Sequence, residues 1–279
     1  MPIQHAVAQA VEFDRGLMGP GGWEPELASW VSPVWASLAF ASKIVLMGEA
    51  LNGCGHIGRR GELNVLAVDV GGSNVKVRAS NVTAARRFAS GPGMTPDAMV
   101  AQVKKLVADW EFDVATIGYP GPVLRDRVVG EPHNLAPGWV GFDFGAAFGC
   151  PVKVMNDAAM QALGSYQGGK LLFLGLGTGL GTTLIVDGIV VPMELGHLPY
   201  KRGTFEDYVG ERGLERRGKK KWRADVEAVV ARLTRALLPE DVVLGGGNVR
   251  LLDRLPPGCR AGANANAFLG GFRVWEKPA

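Results

Sequence analysis

The chain is poor in the residues that bind metals or cross-link small domains. Its 279 residues include three cysteines, Cys54, Cys150 and Cys259, and four histidines, His5, His56, His133 and His197. The cysteines are far apart, odd in number and never in a Cys-x-x-Cys pair, so neither a disulfide framework nor a zinc spacing is indicated. Reduced thiols in the cytoplasm fit that usage. The histidines show no ligand spacing either. Long hydrophobic runs are also missing. Val31 to Met47 is apolar but broken by Pro33 and Lys43, too short to span a membrane. The start of the chain carries Glu12 and Asp14 and lacks the basic start and apolar run of a signal peptide. No membrane partner is expected.

Charge of one sign is scarce too. Thirty basic residues face 27 acidic ones, a net +3. Much of the excess sits in Arg216-Arg217-Gly218-Lys219-Lys220-Lys221 and Arg223. That cluster reads as a solvated face, and secondarily as a rail for a polyanion. Basic and aromatic residues are not interleaved as in a single-strand binder. Two capped helices with a basic reading face are also absent. No nucleic-acid partner is expected.

Glycine is what the chain has in excess, 40 residues clustered at turns. Residues 1–62 are rich in Gly, Pro and Trp and close on the linker-like Gly53-Cys-Gly-His-Ile-Gly-Arg-Arg-Gly61. They are expected to be an N-terminal extension, poorly ordered or upstream of the true start. From Leu63 the pattern sharpens. Leu63 to Val70 reads as a buried strand, Gly71-Gly72 as a hairpin turn at positive φ, and Asn74 to Ala79 as the return strand. Thr95-Pro96-Asp97 has the cap, N1 proline and early acid of a helix start. Pro151 to Met155 reads as a strand and Asp157 to Tyr166 as a helix. The second half repeats the first: strand Lys170–Gly175, turn Gly177–Gly181, strand Thr182–Asp187. A helix is expected from Trp222 to Leu238, then a strand into Gly245-Gly246-Gly247, and a last helix over about 264–275. The repeated unit predicts two related lobes, an N-terminal one over 63–160 with the last helix packing back on it, and a C-terminal one over 161–263.

Glycine turns between strands leave amides open to phosphate oxygens. One such turn is more often only a hairpin, but three glycine patches are harder to dismiss. They form neither a P-loop, since no Gly-Lys-Ser/Thr follows, nor a dinucleotide fingerprint, since strands rather than a helix follow. Asp69 beside the first turn is either a turn cap or a magnesium ligand acting through water. Asp157 at a strand-to-helix junction is either a helix cap or a base. Glu194-Leu-Gly-His197 suits hydrogen bonding to a polyhydroxylated ligand. Glu206, in Gly203-Thr-Phe-Glu-Asp-Tyr-Val-Gly210, reads as a plain exposed helix acid.

Asp69-Val-Gly-Gly-Ser-Asn-Val-Lys76, Asn156-Asp157, Leu176-Gly-Thr-Gly-Leu-Gly181, Glu194-Leu-Gly-His197 and Gly245-Gly-Gly247, in this order, resemble the ROK family of sugar kinases and repressors. Each motif alone is unspecific; the combination is not. The resemblance runs from about Leu63 to Trp275. It implies an α/β, actin-like ATPase (hexokinase-type) fold of two lobes, each with a mixed sheet, and a sugar in the cleft between them. It implies Asp157 as the general base, with Asn156, Glu194, His197, Glu206 and Asn134 on sugar hydroxyls. It implies a phosphoryl donor, ATP or polyphosphate, held by Asp69, Gly71, Gly72, Ser73, Lys76, Gly177, Thr178, Gly179, Gly245, Gly246 and Gly247. Mg²⁺ is the implied cofactor, reached by Asp69 through water, and a homodimer is allowed for. The family's cysteine motif after Glu-x-Gly-His is missing, since Leu198 to Thr204 contains no cysteine, so no zinc site is expected. The expected function is hexose phosphorylation at the 6-hydroxyl; the alternative is a non-catalytic sugar sensor.

Overall fold

A computed structural model describes residues 63–263 and 265–276. The expected extension 1–62 lies outside the described residues. So does the predicted first residue of the last helix, Asn264.

The first half runs β1 (Val65–Val70), β2 (Asn74–Ala79), β3 (Arg86–Ala89), α1 (Pro96–Leu106), β4 (Val114–Tyr119), the short hairpin β5 (Val123–Leu124) and β6 (Arg127–Val128), α2 (Phe144–Phe148), β7 (Val152–Asn156) and α3 (Asp157–Ser165). The second runs β8 (Lys170–Leu176), β9 (Leu180–Val186), β10 (Ile189–Met193), the hairpin β11 (Pro199–Tyr200) and β12 (Gly203–Thr204), α4 (Phe205–Val209), α5 (Glu211–Leu237), β13 (Asp241–Gly245), β14 (Cys259–Ala261) and α6 (Asn266–Arg273).

The two halves build the same sheet. The first has strand order β3-β2-β1-β4-β7 and the second β10-β9-β8-β13-β14. In each, three strands meander antiparallel and two more join in parallel. The hydrophobic patterns fit those positions. The central strands β1 and β4 are buried at every residue, while β2 alternates buried and half-buried. A continuous apolar run suits a strand covered on both faces, and alternation suits one covered on a single face. Separate cores follow, one around Leu66, Val68, Ile117 and Trp139, another around Leu172, Leu174, Trp222 and Val230.

Helix α3 joins the two. It packs on β4 of the first sheet and on β8 and β9 of the second, and more closely still on α6. The lobe boundary expected at 160/161 therefore falls inside one continuous helix. Helix α6 lies on β1 and β4, where Thr116 Oγ1 donates to Gly271 O at 2.7 Å and receives Trp275 Nε1 at 2.8 Å. Two glycines make the α3–α6 crossing close. A Cβ on Gly164 would stand 2.8 Å from Gly270 N, and one on Gly270 would stand 2.9 Å from Gly164 N.

Among the described residues no helix is long and apolar enough to cross a membrane. Two elements differ from the sequence reading. The helix expected from Trp222 starts at Glu211 and bends at Gly218, where φ is 72°. The basic cluster straddles that bend. The second is the first glycine turn: neither Gly71 nor Gly72 has positive φ. Glycine is needed there for space instead, since a Cβ would lie 2.9 Å from Asn74 O at Gly71 and 3.1 Å from Asn134 Cβ at Gly72.

Candidate active site

Parallel strands end together, so everything that leaves their carboxyl ends shares one edge of the sheet. In the first sheet Asp69 is near the end of β1, Tyr119 ends β4, and Asn156-Asp157 ends β7 and opens α3. In the second, β8 ends at the Gly177 turn and β13 at Gly245-Gly246. The two glycine patches of the second sheet touch. Asn248 Nδ2 donates to Gly177 O at 3.1 Å, and a Cβ on Gly246 would lie 2.7 Å from Leu176 C.

Both turns between paired strands keep free amides. Gly71 N donates to Asn74 O at 3.0 Å and Gly177 N to Gly179 O at 3.2 Å. Among the described residues no acceptor meets the N–H of Gly72, Ser73, Thr178 or Gly179. Such groups offer a concave, electropositive surface to an anion. Gly245 differs: it is buried, and its missing side chain makes room for Phe173. Packing, not an open amide, accounts for that glycine.

Asp157 is not the cap of its helix. Asn156 is: its Oδ1 accepts from Ala158 N at 2.9 Å and Ala159 N at 3.2 Å, and its Nδ2 donates to Gly121 O at 3.1 Å. Asp157 occupies the first helical position, with Oδ1 receiving Ala158 N at 2.8 Å. Its carboxyl is pushed up to about 7. Desolvation is the main cause; the negative charges of Asp69 and, less strongly, Glu194 add to it, against the Ala158 amide. One carboxylate from each half, Asp69 and Glu194, thus acts on Asp157.

Glu194, His197 and Glu206 form a wall whose charge reaches Asp157 through Glu194. Glu194 and His197 flank a 3₁₀ turn (Leu195–His197), 3.7 Å apart between Oε2 and Nε2, and both are exposed. Glu194 is raised by partial desolvation, opposed by His197 and assisted by Glu206. Thr182 Oγ1 fixes this segment, donating to Met193 O at 2.6 Å and accepting from Leu195 N at 3.0 Å. Glu206, on α4, is more than an exposed acid. Its Oε2 accepts from Leu180 N at 3.3 Å, and a Cβ on Gly179 would lie 2.9 Å from its Cδ. Asn134 packs against Gly72 from an exposed loop.

One family model, described as the ROK family, matches residues 65–223. The chain belongs to the ROK family. It is 26% identical over 238 residues to the bifunctional enzyme NanE/NanK of Brucella melitensis, a match covering 66% of this chain and 45% of that one. The chain thus spans less than half of that relative. It is 26% identical over 213 residues to the polyphosphate glucokinase of Mycobacterium tuberculosis, covering 68% of this chain and 80% of that one. Among solved structures, the inorganic polyphosphate/ATP-glucomannokinase of an Arthrobacter strain superposes with a TM-score of 0.67 at 22% identity, over 76% of this chain and 98% of that one. At that identity the likeness speaks for the fold, which is the actin-like α/β fold of ROK sugar kinases.

A Mg²⁺ ion held through water would need an oxygen donor with a free lone pair near the first glycine turn. Asp69 fits. Lys76 Nζ approaches only its Oδ2, at 3.2 Å, and its proximity to Asp157 is a repulsion that a cation would relieve. Lys76 is thus engaged by Asp69 rather than free. The sequence reading missed Thr182 and the capping role of Asn156. Only the Asn-Asp order pointed to the second, because asparagine is among the best caps.

Proposed function

We propose that this chain is a sugar kinase of glucokinase type that moves a phosphoryl group from ATP or polyphosphate to the 6-hydroxyl of glucose or a similar hexose. One observation carries the reading. A carboxylate that does not cap its helix, with its pKa raised to about 7, lies near enough to Asp69 of the first sheet and to Glu194 of the second half to feel the charge of both, and each half also carries a glycine turn with open amides. A base works best when its pKa lies near the operating pH. Asp157 accepts the proton of the attacking hydroxyl at its carboxylate. Glu194, His197, Glu206 and Asn134 hydrogen-bond the other hydroxyls, and Asn156 adds the free hydrogen of its Nδ2. The amides of Gly72, Ser73, Thr178 and Gly179 hold donor oxygens, with Lys76, Gly246 and Gly247 beside them. Mg²⁺, when bound through Asp69, neutralises charge on the donor phosphates. Cytoplasmic location and a homodimer belong to the same proposal.

A coupled assay for sugar phosphate, run with ATP and with polyphosphate over several hexoses, tests it. A protein that binds glucose yet consumes neither donor would be a sensor instead. Glu194→Ala and His197→Ala should each raise the sugar KM. A bound sugar desolvates the pair, so each lost partner costs roughly 1–3 kcal/mol. Unchanged KM and kcat in both variants would remove the pair from the site.

The basic cluster divides in the fold. Arg216 donates to Asp207 O, Arg217 to Asp225, and Arg223 to Leu251 O and Asp253. Lys219, Lys220 and Lys221 are exposed. If these lysines guide a polyanion, changing all three to Gln should weaken polyphosphate use more than ATP use, and more so at low salt. Equal effects on the two donors would leave a solvated face.

A further inference from the structure

Away from the cleft, one acid is buried and held by three side chains from two segments of the chain. Asp225 on α5 is 2% exposed. Tyr200 donates its hydroxyl to Oδ1 at 3.1 Å, Lys201 Nζ pairs with the same oxygen, and Arg217 Nε donates to Oδ2 at 2.7 Å. Tyr200 and Lys201 belong to the β11–β12 hairpin. Arg217 precedes the bend of α5. On a straight helix residues eight apart are separated by about 12 Å along the axis. The left-handed backbone at Gly218 breaks that spacing, and Arg217 reaches Asp225 across it.

The cluster extends to α4 through Tyr208. The Tyr208 ring meets Tyr200 edge-on with centroids 5.1 Å apart. Lys201, Arg217 and Arg216 lie 5.1, 5.0 and 5.4 Å from its centroid. Trp222 Nε1 donates to Val209 O at 2.8 Å and fixes the end of the same helix. The hairpin is tied at its base, where Phe205 N donates to Leu198 O at 3.0 Å. Helix α4 carries Glu206, and the hairpin follows directly on the Glu194–His197 turn. Both ends of the acceptor wall are therefore mounted on elements that Asp225 draws together. A buried carboxylate facing two cations leaves uncompensated charge if it is neutralised, so the assembly is sensitive to that one group.

We propose that Asp225 is a positioning residue for sugar binding: through Tyr200, Lys201, Arg217 and Tyr208 it sets the place of Glu206 and of the Glu194–His197 turn. It touches none of the three. The stretch Leu198–Thr204, which contains no cysteine, is anchored in this chain by these side chains. The inference rests on the kinase reading above.

The test is Asp225→Asn, which keeps the shape and removes the charge, with Arg217→Gln as a milder second variant. Melting temperature, sugar KM, donor KM and kcat are measured on the full chain, with kinetics well below each variant's transition. Asp225→Asn should raise the sugar KM by about tenfold with the donor KM within about twofold, and Arg217→Gln should move the sugar KM the same way by less. A folded Asp225→Asn with lowered melting temperature but parental sugar KM would leave a structural role only and overturn the inference. So would an equal rise in both KM values, or failure of both variants to fold. If the parent itself phosphorylates no hexose with either donor, the kinase reading has failed, and the inference with it.

Discussion

Asp157→Asn is expected to lower kcat by about 10²–10⁴-fold, the usual contribution of a positioned base. Folding and sugar binding should be largely kept. A sugar hydroxyl is a weak nucleophile at neutral pH, and its proton has to leave as the bond to phosphorus forms. Asparagine has nearly the same shape but accepts no proton. The capping argument that would confuse this experiment is removed by the fold. Asn156 caps α3, and Asp157 contributes only a short contact to Ala158 N. Loss of rate in Asp157→Asn is then not loss of helix. Two pH effects should accompany it. In the parent, kcat/KM should fall about tenfold per unit below pH 7, because the base must be ionised in the free protein. Stability should move in the opposite direction to activity. The folded carboxyl titrates at about 7, while unfolded it titrates near ~3.9. Between those values the folded state holds the extra proton, so stability contributed at low pH is lost as pH rises through about 7. Asparagine carries no such penalty. The variant should therefore melt higher than the parent at pH 8, by a smaller margin at pH 5, and the margin should vanish towards pH 4. An Asn variant with near-parental kcat would sink the kinase reading.

The second large effect is expected from one methyl group. Gly270→Ala should destabilise the protein by about 1–3 kcal/mol or more. Helix propensity alone argues the other way, since Ala is better than Gly inside a helix by ~1 kcal/mol. Contact decides. The new Cβ would stand 2.8 Å from Met160 C and 2.9 Å from Gly164 N, both backbone atoms of α3. No side-chain rotamer can relieve that, so α6 must move off α3. For a domain of this size the melting temperature should drop by roughly 2–4 °C per kcal/mol. Gly164→Ala attacks the same crossing from the other side, and the two changes should not add, because they share one contact. Activity should fall as well, since α3 carries Asp157. A Gly270→Ala protein that melts at or above the parent temperature would show that the helices have room to separate.

Much of the fold was legible in the chain. The repeat of strand, glycine turn and strand at Asp69–Val77 and Leu174–Val186 carries over into two sheets of the same strand order. The Thr95 cap, with Ala98 N donating to its hydroxyl, is where the Thr-Pro-Asp pattern puts it. What escaped was short or non-local. Helix α4 has five residues, too few for a helical period to register. Gly218 and the run of like charges hide the first turns of helix α5, so its apolar pattern emerges only from Trp222. The glycines of the first turn were visible, but the reason for them was not. The space that Gly72 needs against Asn134 is a tertiary fact, and a turn signal in one strand cannot report it. Glu206 was read as either an exposed acid or a ligand of the site. The fold puts its carboxylate on the second glycine turn, a neighbour 26 residues away in sequence.

Helix α3 has a further consequence. It leans on both sheets and is clamped to α6 by a glycine-to-glycine contact. In mechanical terms it is an axle. Residues on an axle travel least when the parts around it turn. If the two sheets close over a substrate, the turns and the wall sweep inward while Asp157, at the tip of the axle, stays nearly still. The attacking hydroxyl would then be brought to a stationary base, and the geometry of proton transfer would not depend on how far the closure has gone.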